Sequence, residues 1–449
     1  MTASISQGAQ RPVYRPAPSD AAEGPALSYL SIVIFLVLVS TVDLVVVSQD
    51  QAPVTVWLLE ILVWLAFVAI LVNELTLGHI EIVRVGWKEL PELYGYVAWA
   101  TFSVIIALGV NLSGDTVGKL KNILPAFLFF HIMLRAIRSR EQAETVLWFY
   151  IAALLVNAVF GILQYATEQF YPIPPLFENS WKADFSGQFL DNTANGLQTT
   201  PNNFASMIMP GIIFLCVMAR YLVRDLTRLL LISIPLALLV AGLYVSQSKG
   251  GLLWCAIGTA VALAPIRRGR LALGLLVALG VTALVTLYGV TRADDSSIDV
   301  STTVVRVMLW QTAFDIVTGN NFVSIFGDAG GEMRYWTSLV GSWYFPNAHN
   351  TWINQIILFG IPGFLLYAAV WWKALRRICD PADDIDPRSA LMLRGIFGSL
   401  IGLAGMCVFE PREDGVSHVV QLSFLFGLGI AISRLIDLQR RASMTRIDL

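Results

Sequence analysis

A chain of 449 residues with 56% hydrophobic and 14% charged residues and a mean hydropathy of +0.66 does not read as a set of soluble domains. Its formal charge of −2 comes with basic residues in short clusters between apolar runs, so no continuous positive stripe awaits a nucleic acid. Nor do the four cysteines read as a disulfide framework: Cys216, Cys255 and Cys407 sit inside apolar runs, and Cys379 sits in a loop expected to face the cytoplasm.

A helix that crosses a bilayer needs roughly 20 mostly apolar residues. In chain order, such runs predict an all-α polytopic membrane protein with twelve spans, near 27–48, 54–73, 93–110, 120–134, 145–166, 203–219, 229–246, 251–265, 271–290, 352–371, 395–409 and 418–434. Residues 1–26 form a polar N-terminal tail, 27–434 the membrane domain, and 435–449 a C-terminal tail. The first run is long and has no small-residue cleavage motif after it, so it reads as an uncleaved helix. An even number of spans puts both termini on one side. Placing them in the cytoplasm assigns 22 of the 30 basic residues to inner loops, as the positive-inside bias requires. Lys119, Lys121, Lys182, Lys249, Arg292, Arg306, Arg334 and Arg412 remain outside and need another reason to be there.

The two long polar stretches, about 167–202 and 291–351, both fall on that outer side, where function is therefore expected. Within the second, Val304, Val307, Met308, Trp310, Phe314 and Val317 recur at helical spacing and predict a helix over 300–317 lying on the membrane. Gly327, Gly330 and Gly331 then break the chain.

Three outer motifs place a polar or cationic group at the membrane end of a helix. Thr200-Pro201-Asn202-Asn203-Phe204-Ala205 opens the sixth span; Pro201 and the asparagines suit a helix N-terminus, which is either a plain cap or a place for an anion. Ser246-Gln247-Ser248-Lys249-Gly250-Gly251 joins the next two spans. Lys249 there either snorkels to lipid headgroups or pairs with a phosphate that Ser248 and the glycines let approach. Pro346-Asn347-Ala348-His349-Asn350-Thr351-Trp352 leads into the tenth span after an excursion that brings Arg306 and Arg334 to the same face.

The succession Pro-Asn202-Asn203-x-Ala, Ser-x-Ser248-Lys249-Gly-Gly, Val-Arg306-x-x-x-Trp310, Phe-Gly-Asp-Ala-Gly, His349-Asn350 and Gly-Ile-Pro-Gly resembles the O-antigen ligase and O-antigen polymerase superfamily over about residues 187–370. The resemblance implies a bacterial inner-membrane glycosyltransferase that moves a glycan from undecaprenyl diphosphate to a hydroxyl acceptor on the periplasmic side. Ligases of this superfamily use lipid A-core as the acceptor, and polymerases use the growing polysaccharide. Carried onto this chain, it implies catalytic roles for His349, Arg306 and Lys249, and substrate binding by Asn202, Asn203, Ser248, Arg334, Asn350 and Arg412. Members commonly carry Arg where this chain has Lys249, which offers a point charge in place of a planar fork.

The chemistry asks for the same residue types. Negative charge grows on a departing diphosphate, and pre-placed cations stabilise it; Arg306 and Lys249, with Arg334 or Arg412, are suited to that. An acceptor hydroxyl must lose its proton, and an imidazole is a residue type suited to take it, with His349 as the candidate. No cofactor and no divalent metal is expected. Asp380, Asp383, Asp384 and Asp386 read as a solvated inner loop, and Asp294-Asp295 lacks the spacing of a metal motif. Glu410-Pro411-Arg412-Glu413-Asp414 reads as an outer hairpin whose Arg412 either pairs with its own acids or serves the site. Trp336, Trp343, Tyr344 and Trp352 either stack on sugars or anchor the interface, the second being favoured for Trp352. A flippase or transporter is the competing class; it calls for ionisable groups and helix breaks at mid-bilayer, where this sequence offers few, such as Asp43 and Glu60.

Overall fold

A computed structural model describes residues 28–43, 45–47, 56–78, 80–110, 114–167, 193–198, 200–222, 226–264, 280, 302–327, 348–379, 385–410 and 416–447. Nearly all of them are helical. The elements are α1 (Tyr29–Ser40), β1 (Val45–Val47), β2 (Val56–Trp57), α2 (Leu58–Thr76), α3 (Ile82–Glu89), α4 (Pro91–Val110), α5 (Gly114–Ala136) and α6 (Arg140–Thr167). They continue with α7 (Pro201–Leu222), α8 (Leu226–Val245), α9 (Lys249–Leu263), α10 (Thr302–Gly319), α11 (Asn321–Phe326), α12 (Thr351–Cys379), α13 (Pro387–Met406) and α14 (Val416–Ile447). Every apolar run read as a span coincides at least in part with a helix except 271–290, of which only residue 280 is among the described residues. Among the described residues six helices, α2, α6, α7, α12, α13 and α14, are long and apolar enough to cross a membrane.

The first run departs from expectation. Its helix ends at Ser40 after 12 residues, about 18 Å at 1.5 Å per residue, and Val45–Val47 instead pairs antiparallel with Val56–Trp57. A run of β-branched valines fits a pleated strand better than another helical turn. In the second long polar stretch, α10 matches the expected helix, with Val307, Leu309 and Ala313 buried; Phe314, counted on the apolar face, is instead 68% exposed. Leu309 and Ala313 lie one turn apart and pack with Ala348 and Ile357 in a small second core. None of the four cysteines forms a disulfide.

Between lipid-solvated helices, burial of apolar surface supplies little driving force, so close approach and van der Waals packing hold the bundle together. The helix α13 is central, with 83% of its apolar stretch buried, whereas only 33% of that of α2 is. Gly258 of α9 and Gly398 of α13 meet backbone to backbone: a Cβ on either would come within 2.6 Å of the other's carbonyl oxygen. Around this seam α7 packs on α8, α9 and α13, α14 on α5, and α12 on α4. On the outside of α2, Trp64, Leu65, Val68, Val72 and Leu75 form an exposed apolar stripe at helical spacing.

The helix α12 is broken at Gly360, whose φ of 71° and ψ of 177° belong to a region open essentially to glycine alone. Gly327, at the end of α11, has nearly the same angles, and the two breaks nest together: a Cβ on Gly360 would lie 2.1 Å from the Ile325 carbonyl oxygen, and one on Gly327 2.3 Å from that of Leu358. The motifs Phe-Gly-Asp and Gly-Ile-Pro-Gly are thus two halves of one joint. Breaking a helix strands carbonyls, and α4 satisfies two of them: Trp99 Nε1 donates to the Phe359 carbonyl at 2.8 Å, and Ser103 Oγ donates to that of Phe326. Gly360→Ala is expected to cost about 1–3 kcal/mol in strain alone, and more from the backbone clash. A melting temperature in detergent equal to wild type would contradict the joint.

Charged helix ends gather at one end of the bundle. Arg377 pairs with Glu89, Lys373 with Glu92, Arg135 with Glu74 and Arg388 with Glu144. Asp386, read from sequence as part of a solvated loop, caps α13 through the Arg388 and Ser389 N–H groups and holds Arg140 at 2.9 Å. Burial pushes its carboxyl up, but those hydrogen bonds and Arg140 outweigh it and hold the group below the usual range. These contacts put the C-terminal ends of α5 and α12 beside the N-terminal ends of α4, α6 and α13. The N-terminal ends of α7, α9 and α12 lie at the opposite end, where the candidate site is built.

Candidate functional site

Local sequence decides which side chains are free to meet. At the start of α7 the cap is Thr200, whose Oγ1 accepts the Asn203 N–H at 3.1 Å. Asn202, with a helix start but no capping duty, turns its side chain out to other elements. Ser248 caps α9 by accepting the Gly251 N–H at 3.0 Å, and its own hydroxyl donates to Asn202 Oδ1 at 2.7 Å. Asn202 Nδ2 in turn donates to Glu410 Oε1, the same oxygen that Arg306 Nη2 reaches at 3.0 Å from α10. Thr351 Oγ1 donates to the Glu410 carbonyl at 2.9 Å, and the Thr351 N–H reaches the Cys407 carbonyl at 2.8 Å.

One network therefore runs from Ser248 through Asn202 and Glu410 to Arg306, tying α7, α9, α10, the start of α12 and the end of α13 together. Lys249 follows Ser248 as the first residue of α9, with its side chain exposed. The site carries the cations Arg306 and Lys249, the anion Glu410, and the positive ends of three helix dipoles, a field suited to a polyanion.

His349 is half-buried and has a positive φ of 47°, a conformation uncommon outside glycine. Its neighbours hold it there. The Ala348 N–H donates to Asn354 Oδ1 at 2.9 Å, and the Ala348 carbonyl accepts Trp310 Nε1–H at 3.0 Å. On the other side Asn350 caps α12 by accepting the Ile353 N–H at 3.1 Å, so its side chain is committed to the fold. The strained residue sits between two clamps, two positions before the Thr351 that grips Glu410.

Of the residues expected at the site, Arg306, Asn202 and Ser248 share one network; Lys249 follows Ser248 in the chain, and His349 precedes by two residues the Thr351 that holds Glu410. Asn203 is half-buried in the first turn of α7, and its carbonyl accepts from Ser206 Oγ. Arg334 and Arg412 lie outside the described residues, as do Asp294, Asp295, Asp328, Trp336, Trp343 and Tyr344. Trp352 is partly buried, donates to the Ala404 carbonyl at 3.1 Å and packs against Tyr367 and Trp371. His418 is buried in α14, one turn from a Gln421 that bonds Tyr150. Among the described residues no group of three or more His, Cys, Asp or Glu could hold a metal ion.

Glu410 is the residue that sequence reasoning undervalued. The available signal was its place: an acid followed by Pro at the outer end of an apolar run, opposite an unexplained outer arginine.

A small apolar slot of about 70 Å³ opens between α4, α5, α12 and α14. Leu93, Phe127, Phe130 and Phe426 line its length, and Thr351 lines one end of it, the residue whose hydroxyl holds Glu410. No protein-family model matches this chain, and no curated protein sequence matches it.

Proposed function

We propose that this protein is a membrane glycosyltransferase, of the O-antigen ligase kind, that transfers a glycan from undecaprenyl diphosphate to a hydroxyl of lipid A-core at the periplasmic face of a bacterial inner membrane. Growing polysaccharide is the alternative acceptor, which would make it a polymerase. The observation that carries the reading is the network joining Arg306 to the Ser248–Lys249 helix start, which brings motifs 201–203, 246–251 and 306–310 to Glu410, the residue that Thr351, next after motif 349–350, also holds.

In this reading the acceptor oxygen attacks the anomeric carbon and the carbon–oxygen bond to the diphosphate breaks. The electron pair leaves with the phosphate oxygen, where Arg306 and Lys249 stabilise it. His349 takes the hydroxyl proton. The apolar lining of the slot at Thr351 is of the kind a prenyl segment beside that diphosphate would pack against. Because side-chain cations take the charge, EDTA is expected to leave turnover intact; loss restored by magnesium or manganese would reassign the chemistry to Asp294, Asp295 or Asp328.

Twelve spans with both termini in the cytoplasm complete the picture, the arginine-rich end of the bundle facing inward. In a chain freed of its four native cysteines, a cysteine at Asp295 should then react with an impermeant maleimide in cells whose inner membrane is intact. Reaction only after that membrane is breached would put the site on the wrong side for periplasmic transfer.

The break in α12 favours a second reading, a carrier for a lipid-linked glycan, since broken helices build transporter sites. Against it, the Phe359 carbonyl at this break is already taken by Trp99. The deciding experiment incubates purified protein with an undecaprenyl-diphosphate glycan and either lipid A-core or more donor. A single new band supports the ligase and a ladder the polymerase; translocation of intact donor in proteoliposomes without a new linkage supports the carrier.

A further inference from the structure

Arg306 does not present a bare charge to an incoming anion. Its guanidinium is already 3.0 Å from the Glu410 carboxylate, and the two side chains are only 23% and 11% exposed. The carboxylate is fixed from several directions. Asn202 Nδ2 donates to the same Oε1, and the Glu410 carbonyl is held by Thr351. A guanidinium and an amide NH2 can only donate, so the oxygen between them accepts from both, as in an ordinary carboxylate–guanidinium ion pair. Asn202 is held from its other side too, its Oδ1 accepting from the Ser248 hydroxyl, whose oxygen accepts the Gly251 N–H.

A fixed anion thus sits on Arg306, in a network that runs Arg306, Glu410, Asn202, Ser248, with Lys249 next after Ser248 in the chain. Anything negative that reaches Arg306 also meets Glu410, at a distance where like charges repel strongly in a partly buried setting. A group carrying two phosphates has enough charge to draw on Lys249 and Arg306 together and outweigh that repulsion. A single phosphate on Arg306 faces one cation and one anion at once and gains little.

The geometry points to Glu410 as a specificity-determining residue of the anion site: it admits prenyl diphosphates and rejects prenyl monophosphates. This rests on the glycosyltransferase reading and adds a role for an acid in a site defined by its cations. The rejected ligand is what hydrolysis of the donor's own carrier yields, so a site without the acid would fill with spent lipid. Asn202 acts through Glu410 as a positioning residue.

The test is calorimetric binding of farnesyl diphosphate and farnesyl monophosphate to the purified full-length protein. Wild type should prefer the diphosphate by at least about tenfold, equivalent to roughly 1.4 kcal/mol. Glu410→Gln keeps the shape and removes the charge. It should tighten monophosphate binding by about tenfold and bring the two affinities close together. Glu410→Asp, which keeps the charge but withdraws it by one methylene, should relax the preference only part of the way, and it serves if the Gln variant does not fold. Arg306→Ala should weaken the diphosphate in either background. A preference unchanged in folded Glu410→Gln, or in Glu410→Asp where only that variant folds, would overturn the filter while leaving the diphosphate site standing. Failure of wild type to bind farnesyl diphosphate would overturn the site itself, and the filter with it.

Discussion

Replacing His349 with Ala is expected to lower turnover by about 10²–10⁴, the usual worth of a positioned general base, while donor affinity stays near wild type. The structure adds a complication and its remedy. His349 has a φ of 47°, so a residue that dislikes the left-handed region would also disturb the backbone between Ala348 and Asn350. Asn tolerates that region and cannot act as a base at neutral pH. His349→Asn should therefore keep the wild-type melting temperature and still lose turnover to the same extent as the alanine variant. Steady-state kinetics with a defined lipid-linked donor would measure this. A folded His349→Asn protein with wild-type turnover would remove His349 from the chemistry and turn attention to Glu410.

Arg306→Ala is expected to fail differently, in donor binding, turnover and stability together. A cation on the diphosphate acts in both ground and transition states, and its loss should cost about 10²–10³ in turnover with a raised KM. It also strands Glu410, a partly buried carboxylate that, among the described residues, keeps Asn202 as its side-chain donor, at about 1–3 kcal/mol of stability. Arg306→Lys should restore charge but not the fork, and recover part of each loss. The double variant Arg306→Ala with Glu410→Gln should regain the stability but not the activity, because it removes the stranded charge without replacing the cation. If the double variant melted no higher than Arg306→Ala alone, the pair would not be the stabilising contact described above.

Much of the site could be read along the chain. Arg306 and Lys249 stood out because basic residues resist the outer side unless something holds them there. Other parts could not be read. Asn202 and Asn350 look alike beside their helix starts, yet Asn350 caps α12 while Thr200 takes the capping duty at α7 and leaves Asn202 to reach Glu410. Glu410 was legible only as a hairpin acid. Its partner is 104 residues away, and no local spacing encodes a contact of that range.

Hydropathy and charge determined by themselves that the chain lives in a membrane, where its helices fall and which ends carry the arginines. Those properties follow from transfer of each segment into hydrocarbon, which depends on that segment's own composition. Tertiary structure decided the rest. The valines after Asp43 pair as a strand, Gly327 and Gly360 nest in one joint, and Gly258 meets Gly398. Each depends on which backbone comes near which, and inside a bilayer that choice rests on steric fit between helices and on the donors that stranded carbonyls require, neither of which is a property of any single segment.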